Sequence, residues 1–378
     1  MAHSLSAADE AAIAAVERLA REELAPSASA TDENAAFPHD QLRLLAEMGL
    51  MGMNLPERWG GPGLSALALA DCVTAIAAAC GSTVSALTAH FLATDAILLG
   101  GGDDLRGRYL PDAAAGRTLG AFALTEPRAG SNPADMGCRA VPVEGGYRLT
   151  GTKHFISNGG HADFIVVFAV TDPEAAHRGI SAFVVDRDTP GLVVGAPEKT
   201  MGLRGGHVFE LAFDCLVPAG NRVGAEGSGF RTAMKVLDNG RIEVAAMCLG
   251  LAGAALDAAR DWVRQRKIGG QLLGDYQGIQ WMLADMATQL QAARLLTRDA
   301  AAKRAAGERF TRQSAMAKLF ASETAGKVAD AALQIHGGYG YIRDLPLERY
   351  VRDLRIMRIY EGSSEVQRNI IARDLLME

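Results

Sequence analysis

The sequence predicts an α+β multidomain protein with an N-terminal helical domain, a middle β-sandwich or barrel domain, and a C-terminal helical bundle. Three observations carry this reading. The chain has 378 residues, enough for two or three domains at ~150 residues each. Its texture changes from helical to β near residue 120 and back near residue 228, giving expected domains at 1–119, 120–228 and 229–378. Hydrophobic residues make up 49% and charged residues 22%, which provides a sizeable core and excludes a disordered chain.

In the first part, Leu42, Leu45, Met48 and Leu50 recur near helical spacing. The loop WGGPGLS at 59–65 breaks the pattern, and an apolar stretch containing His90 and Asp95 runs from Ala66 to Leu99. In the middle part, Gly145-Gly146 reads as a hairpin turn. Phe164 to Val170, Ala182 to Val185, Leu192 to Val194 and Phe209 to Phe213 read as strands. Phe209, Leu211 and Phe213 fall on one face of the last. In the third part, Ile279, Met282, Leu283, Met286, Leu290 and Ala293 form a helical stripe, and long helices with short loops indicate a bundle.

Charge and cysteine content remove several function classes. The net charge of −6 has no basic excess, so nucleic-acid contact is not expected. Arg349, Arg352, Arg355 and Arg358 drift around a helix instead of forming a stripe, and read as structural ion pairs. The five cysteines form no C-x-x-C pair, so neither a disulfide framework nor a zinc site is indicated and no metal is expected. The N-terminus, MAHSLSAADEAA, has no basic or long apolar targeting region. The apolar run from Val244 to Leu256 is short of the ~20 residues of a membrane span. A cytoplasmic protein without a membrane span is the expectation.

The dinucleotide fingerprint G-x-G-x-x-G, the P-loop, H-E-x-x-H and G-x-S-x-G are all absent. Four other segments hold chemistry-bearing groups. LTEPRAGSN at 124–132 is a polar turn whose N–H groups and Thr125 and Ser131 hydroxyls suit a polar ligand. GTKHFISNGG at 151–160 sets Phe155, a stacking ring, beside the donor Ser157. Read alone, the two are better explained as a turn and a hairpin of the β domain. RQRKIGG at 264–270 and LQIHGGYGY at 333–341 read as helix ends with glycine turns, where a backbone approaches a phosphate or sugar closely. In IYEGSSEVQRNII at 359–371, Ser364 and Gln367 fit an S-x-x-Q capping box that starts the final helix. Glu361 then precedes that helix, either as a carboxylate complementing the helix dipole or as a base on a short rigid loop.

In sequence, order and spacing these segments resemble the acyl-CoA dehydrogenase family, of short- or branched-chain type, over nearly the whole chain. TEP-x-AGS, K-x-[FW]-I-[ST]-N-G, Q-x-x-G-G-x-G and IYEG-[ST]-x-E-x-Q-R all occur in family order. The resemblance implies an N-terminal helical domain, a middle β domain and a C-terminal four-helix bundle, with FAD between the last two. It assigns Leu124, Thr125, Gly130 and Ser131 to the flavin and pantetheine, and Phe155, Ile156 and Ser157 to the flavin ring. Arg266, Gln277, Gln334, Gly337 and Gly338 match groups that hold the adenosine-diphosphate part of FAD in a neighbouring subunit, so a homotetramer is implied. Ser363 and Glu365 match positions that touch FAD. Ser131, Asp238, Asn239, Gly240, Arg241 and Gly362 match positions near the acyl thioester and CoA.

Glu361 matches the catalytic base. The implied reaction is α,β-dehydrogenation of an acyl-CoA to the trans-2-enoyl-CoA in fatty or amino acid catabolism, with flavin N5 as hydride acceptor and electron-transfer flavoprotein as partner. Another branch of the family carries its base at the position of Gly240, which has no side chain here. Burial of Glu361 would raise its pKa and the helix N-terminus would oppose the rise. Ile268 replaces the usual aromatic of R-x-x-F-G, and MGLRGGHVFELAFD at 201–214 is one residue short of the usual pattern. No Arg or Lys occurs between 81 and 99, which disfavours a dicarboxylyl substrate and leaves a short, medium or branched chain. The alternatives are a flavin oxidase or monooxygenase on the same fold, and a non-catalytic acyl-CoA-binding protein.

Overall fold

The computed structural model describes residues 5–377. Six helices come first: α1 (Ala7–Leu19), α2 (Ala28–Glu33), α3 (His39–Glu47), α4 (Ala66–Ala79), α5 (Gly81–Gly100) and α6 (Asp103–Ala114). Seven strands follow: β1 (Gly120–Ala123), β2 (Arg139–Val143), β3 (Gly146–Ser157), β4 (Phe164–Val170), β5 (Ile180–Asp186), β6 (Leu192–Val194) and β7 (Val208–Pro218). The long helix α7 (Gly229–Val263), a small hairpin of β8 (Lys267–Ile268) and β9 (Gln271–Leu272), and helices α8 (Gln277–Ala305), α9 (Thr311–His336), α10 (Gly338–Tyr341), α11 (Leu347–Arg355) and α12 (Ser364–Leu376) complete the chain. The three expected textures are therefore present in order.

The middle strands make one curled sheet. β2 and β3 pair antiparallel across Glu144-Gly145, as the glycine pair predicts, and β3 continues antiparallel to β7. β4 pairs along its length with β5, while β1 and the first residue of β2 share its other edge in parallel. All seven residues of β4 are buried, which suits its unbroken apolar run. β7 alternates: Phe209, Leu211, Phe213, Cys215 and Val217 point inward, while Glu210, Asp214 and Leu216 are exposed.

Helix α7 is the central piece of the C-terminal half. It packs against α4, α5, α8 and α9. Gly250 lets α4 come close, since a Cβ there would lie 2.2 Å from the Thr74 carbonyl oxygen. Helices α5 and α7 are each long and apolar enough to cross a membrane, but 72% of the apolar window is buried inside the protein in both. They are core helices. The helical stripe of α8 faces inward, with Met286 and Ala293 buried and Ile279, Met282, Leu283 and Leu290 packed against the core. All five cysteines are free and buried.

Candidate functional site

The two polar segments of the middle domain are stitched together. Lys153, fully buried on β3, donates to the Leu124 carbonyl at 3.0 Å and to Glu126 Oε1 at 2.8 Å. Glu126 in turn accepts the N–H groups of Gly137 (2.6 Å) and Cys138 (3.0 Å), and the His154 N–H donates to the Thr125 carbonyl at 2.9 Å. This network holds the 124–132 turn against β3. Replacing Lys153 with Met would leave Glu126 charged and short of one partner in the core. The expected cost is about 3 kcal/mol, at the low end for a broken buried pair because two N–H donors remain. A loss of unfolding free energy of that size in chemical denaturation checks it.

The register of β3 against β7 shifts between Lys153 and Ile156. At this bulge Phe155 takes φ +58°, its ring is 60% exposed, and it stacks on His154 at 4.0 Å. Bulges of this kind re-aim side chains beside functional sites. Ile156 returns inward and is buried, with Ser157 partly exposed at the strand end. Gly130 and Ser131 lie exposed on the facing turn.

Glu361 sits on the loop before α12, as expected, and has φ +50°, a conformation uncommon for a non-glycine residue. Two buried side chains hold the loop in it. Lys318 of α9 donates to the carbonyls of Tyr360 (3.0 Å) and Gly362 (2.7 Å). Gln367 of α12 donates to the carbonyls of Glu361 (3.0 Å) and Gly362 (2.9 Å). The expected capping box at Ser364 is not formed. Ser363 caps the helix instead, accepting the Val366 N–H, because the Gln367 amide is engaged by the strained loop. Ser364 donates to Glu323 at 2.6 Å, and Glu365 is exposed.

The carboxyl of Glu361 reaches over α7. A Cβ built on Gly240 would lie 2.2 Å from Glu361 Oε2, so any side chain there would push the carboxyl out of this position. The residue as a whole is partly exposed, but Oε2 is inaccessible and without a hydrogen-bond partner. Burial pushes this carboxyl up to about 7, against the opposing fields of Lys318 and Arg241. Desolvation therefore wins the contest that the sequence left open.

Other expected site residues on α7 are less uniform. Arg241 is buried and pairs with Asp238, whose second oxygen accepts the Thr311 hydroxyl at 2.6 Å. Asn239 is committed elsewhere, donating to Asp95 at 2.6 Å. His90 is a core residue, as the sequence favours: Nδ1 accepts the Gly120 N–H at 2.9 Å, and burial lowers its pKa to about 4. Below Gly240 on α7, Met247 Sδ lies 3.7 Å from both the Thr88 hydroxyl and the Tyr360 hydroxyl. Arg352 bridges Asp32 and Glu348 in the structural pairs expected of the arginine run.

A second place lies beyond the far end of α7. Arg266, Gln334, Gly337 and Gly338 line a cavity of about 640 Å3 with Trp262, Tyr339 and Ile268. Gln277 is not among its lining residues. Arg266 stands 5.9 Å from the Trp262 ring and 5.5 Å from that of Tyr339. A Cβ on Gly337 or Gly338 would meet nothing within 4 Å, so the backbone there is open to a ligand. Cation, aromatic faces and bare backbone suit an adenosine diphosphate. Gly240 and Val263 are 23 residues apart on one helix, about 35 Å at ~1.5 Å per residue.

Lys318 was not singled out by the sequence reading. Its one signal is a lysine inside the alanine-rich run AMAKLFASETA, where a surface lysine is the ordinary reading.

Three family models match the chain: acyl-CoA dehydrogenase N-terminal domain at 6–117, middle domain at 121–216 and C-terminal domain at 227–376. The chain is 44% identical to acryloyl-CoA reductase (NADH) of Anaerotignum propionicum, over 96% of this chain and 93% of that one. Among solved structures it matches butyryl-CoA dehydrogenase of Megasphaera elsdenii at TM-score 0.97 and 37% identity, over the whole of both chains. It also matches a chain from a study of the electron transferring flavoprotein of Acidaminococcus fermentans, at TM-score 0.98 and 38% identity, again over the whole of both.

Proposed function

Because the chain belongs to the acyl-CoA dehydrogenase family and has FAD as its cofactor, we propose that it dehydrogenates a short straight or branched acyl-CoA to the trans-2-enoyl-CoA, with Glu361 as base. The observation that carries this is the Glu361 carboxyl, packed over Gly240 and raised to about 7. A thioester α-proton is weakly acidic, and a base works best with a pKa near the working pH. Glu361 meets that need as a carboxylate held without hydrogen bonds that would blunt it. Lys318 and Gln367 keep its loop from relaxing. The Glu361 N–H is the donor for the thioester oxygen, where charge develops as the proton leaves. Bound FAD supplies the acceptor for the hydride that leaves the β-carbon.

The residues fit FAD in two parts. Leu124, Thr125, Gly130, Ser131, Phe155, Ile156 and Ser157 would hold the flavin end, with Ser363 and Glu365 at the N-terminus of α12. Arg266, Gln334, Gly337 and Gly338 would hold the adenosine end of a neighbour's FAD, with Gln277 outside the cavity lining at the start of α8. The helical distance between the two places supports sharing between subunits, and hence an oligomer such as a homotetramer. Asp238, Gly240, Arg241 and Gly362 would lie along the thioester and CoA. The Met247, Thr88 and Tyr360 cluster supports a short acyl chain, since it fills the space two turns past Gly240. Electron-transfer flavoprotein is the proposed electron partner.

Anaerobic bleaching of the yellow holoenzyme by a panel of straight, branched and aromatic acyl-CoAs tests the reading. Fast bleaching by butyryl- or isobutyryl-CoA is expected. Rapid reoxidation by air would instead mark an oxidase or monooxygenase, and colourless protein a non-catalytic binder. The name of the 44% identical relative favours a second reading, the same site run as a reductase. Consumption of NADH that depends on acryloyl-CoA would select it.

The pH profile follows from the base. Only the carboxylate can accept the α-proton, so flavin reduction with the free enzyme's pKa in control should rise with pH and level off above about 7. A flat profile from about pH 5 to 8 would show that no such group titrates.

A further inference from the structure

Behind Glu361 the core holds more acid than the reaction uses. Asp95 of α5 is 1% exposed and Glu243 of α7 is 2% exposed. Asp95 accepts the Asn54 amide on Oδ1 at 2.7 Å and the Asn239 amide on Oδ2 at 2.6 Å. Glu243 lies one turn along α7 from Asn239 and Gly240, on the same side of the helix. Its neighbours one turn back thus touch the two other acids: Asn239 binds Asp95, and Gly240 packs on Glu361. Both oxygens of Glu243 are inaccessible and lack a partner. Burial pushes its pKa well above the usual carboxylate range; the fields of Asp95 and Glu361 add to the rise, and that of Arg304 opposes it. An unpaired carboxylate in such a place is costly, so burial favours the neutral acid.

The opposite side of Asp95 leads outward. Asn54, which binds Asp95, also lines a cavity of about 340 Å3 with Met53, Leu64, Ser65 and Arg304, and this cavity opens beside the exposed Ala305. The Asn54 Oδ1 is buried and has no partner. Burial raises the pKa of both acids; the field of Arg304 opposes the rise at each, and the Asn239 and Asn54 amides oppose it further at Asp95. Glu243 thus lies within the fields of both Glu361 and Asp95, and Asp95 is joined through Asn54 to the Arg304 cavity.

We propose that Glu243 and Asp95 pass the α-proton from Glu361 to solvent at the Arg304 cavity while the acyl group still covers Glu361. The inference rests on the reading of Glu361 as base. Glu361, protonated by the substrate, gives its proton across a bridging water to the carbonyl oxygen of Glu243. The O–H proton of Glu243 moves in the same event, again through water, to the Asp95 carboxylate. Glu243 ends as it began, a neutral acid with its two oxygens exchanged in role, and Glu361 ends as a carboxylate. Asp95 then loses the proton to water in the cavity, where Arg304 favours its return to the charged form. One proton leaves, no electron moves and no extra charge stays in the core. Glu243 and Asp95 act through Glu361 and are positioning residues, not catalytic ones.

The test follows two signals in holoenzyme held anaerobically with excess butyryl-CoA in deuterium oxide, without an electron acceptor. Flavin absorbance gives the rate of reduction, and NMR gives deuterium at the α-carbon of the recovered thioester. The ratio of α-exchange to flavin reduction is expected to fall at least tenfold in Glu243→Gln and in Asp95→Asn, both of which conserve volume. Glu243→Asp, which keeps an ionisable group, should recover most of the ratio. A wild-type ratio in both isosteric variants, or exchange and reduction falling together in both, would overturn the relay. A wild-type enzyme that bleaches with no thioester would overturn the reading of the reaction itself, and the relay with it. If one isosteric variant loses its flavin, the other decides.

Discussion

Glu361→Gln is expected to keep FAD and to lose flavin reduction by butyryl-CoA on the order of 10^3–10^4-fold, the upper range for removal of a general base. Glutamine has nearly the same shape, and the donors that fix the loop all bind backbone oxygens. Lys318 and Gln367 would still hold the carbonyls of Tyr360, Glu361 and Gly362. The protein should therefore purify yellow and fold normally. What is lost is an acceptor for the α-proton, and the position of Gly240 offers no substitute. Stopped-flow bleaching measures the loss. Reduction at the wild-type rate would mean that another group takes the proton.

The second large effect is expected at Gly240. Alanine there would place its Cβ 2.2 Å from Glu361 Oε2 and 2.9 Å from Leu92 Cδ2. The carboxyl would have to retreat by about 1 Å, and a displacement of that size costs about 100-fold in a positioned reaction. The loop is pinned on both sides of Glu361, so the backbone has little room to follow. Gly240→Ala should thus bleach about 100-fold slower with FAD content unchanged. Bleaching at full speed would show that the carboxyl works from a rotamer away from α7.

Much of this arrangement was legible in the sequence, and the gaps have physical causes. The alternation of Phe209, Leu211 and Phe213 needed only the period of a strand. The hairpin at Gly145 needed only the turn chemistry of adjacent glycines. Glu361 was found because its motif is contiguous. The N-cap was displaced by one residue, from Ser364 to Ser363, because Gln367 serves the loop in three dimensions. Lys318 escaped notice because nothing in a helical run tells a buried lysine from a surface one until the carbonyls of a loop 42 residues away are seen to need it. Asn239 fell within a plausible site stretch, but one helical step of about 100° turns it from Glu361 toward Asp95. The acid at Glu243 gave no signal, because nothing local in a helical run tells a buried, unpaired carboxyl from a surface one.

The length of α7 has a genetic consequence. If each helix leads from one subunit's base to the adenosine site of its neighbour's flavin, a chain defective in Glu361 and a chain defective in Arg266 are damaged in different active sites of a mixed pair. One site then receives both faults and the other receives none. Two inactive alleles expressed together should complement, restoring up to about half of wild-type turnover per mixed pair, whereas two alleles altered at Glu361 should restore nothing.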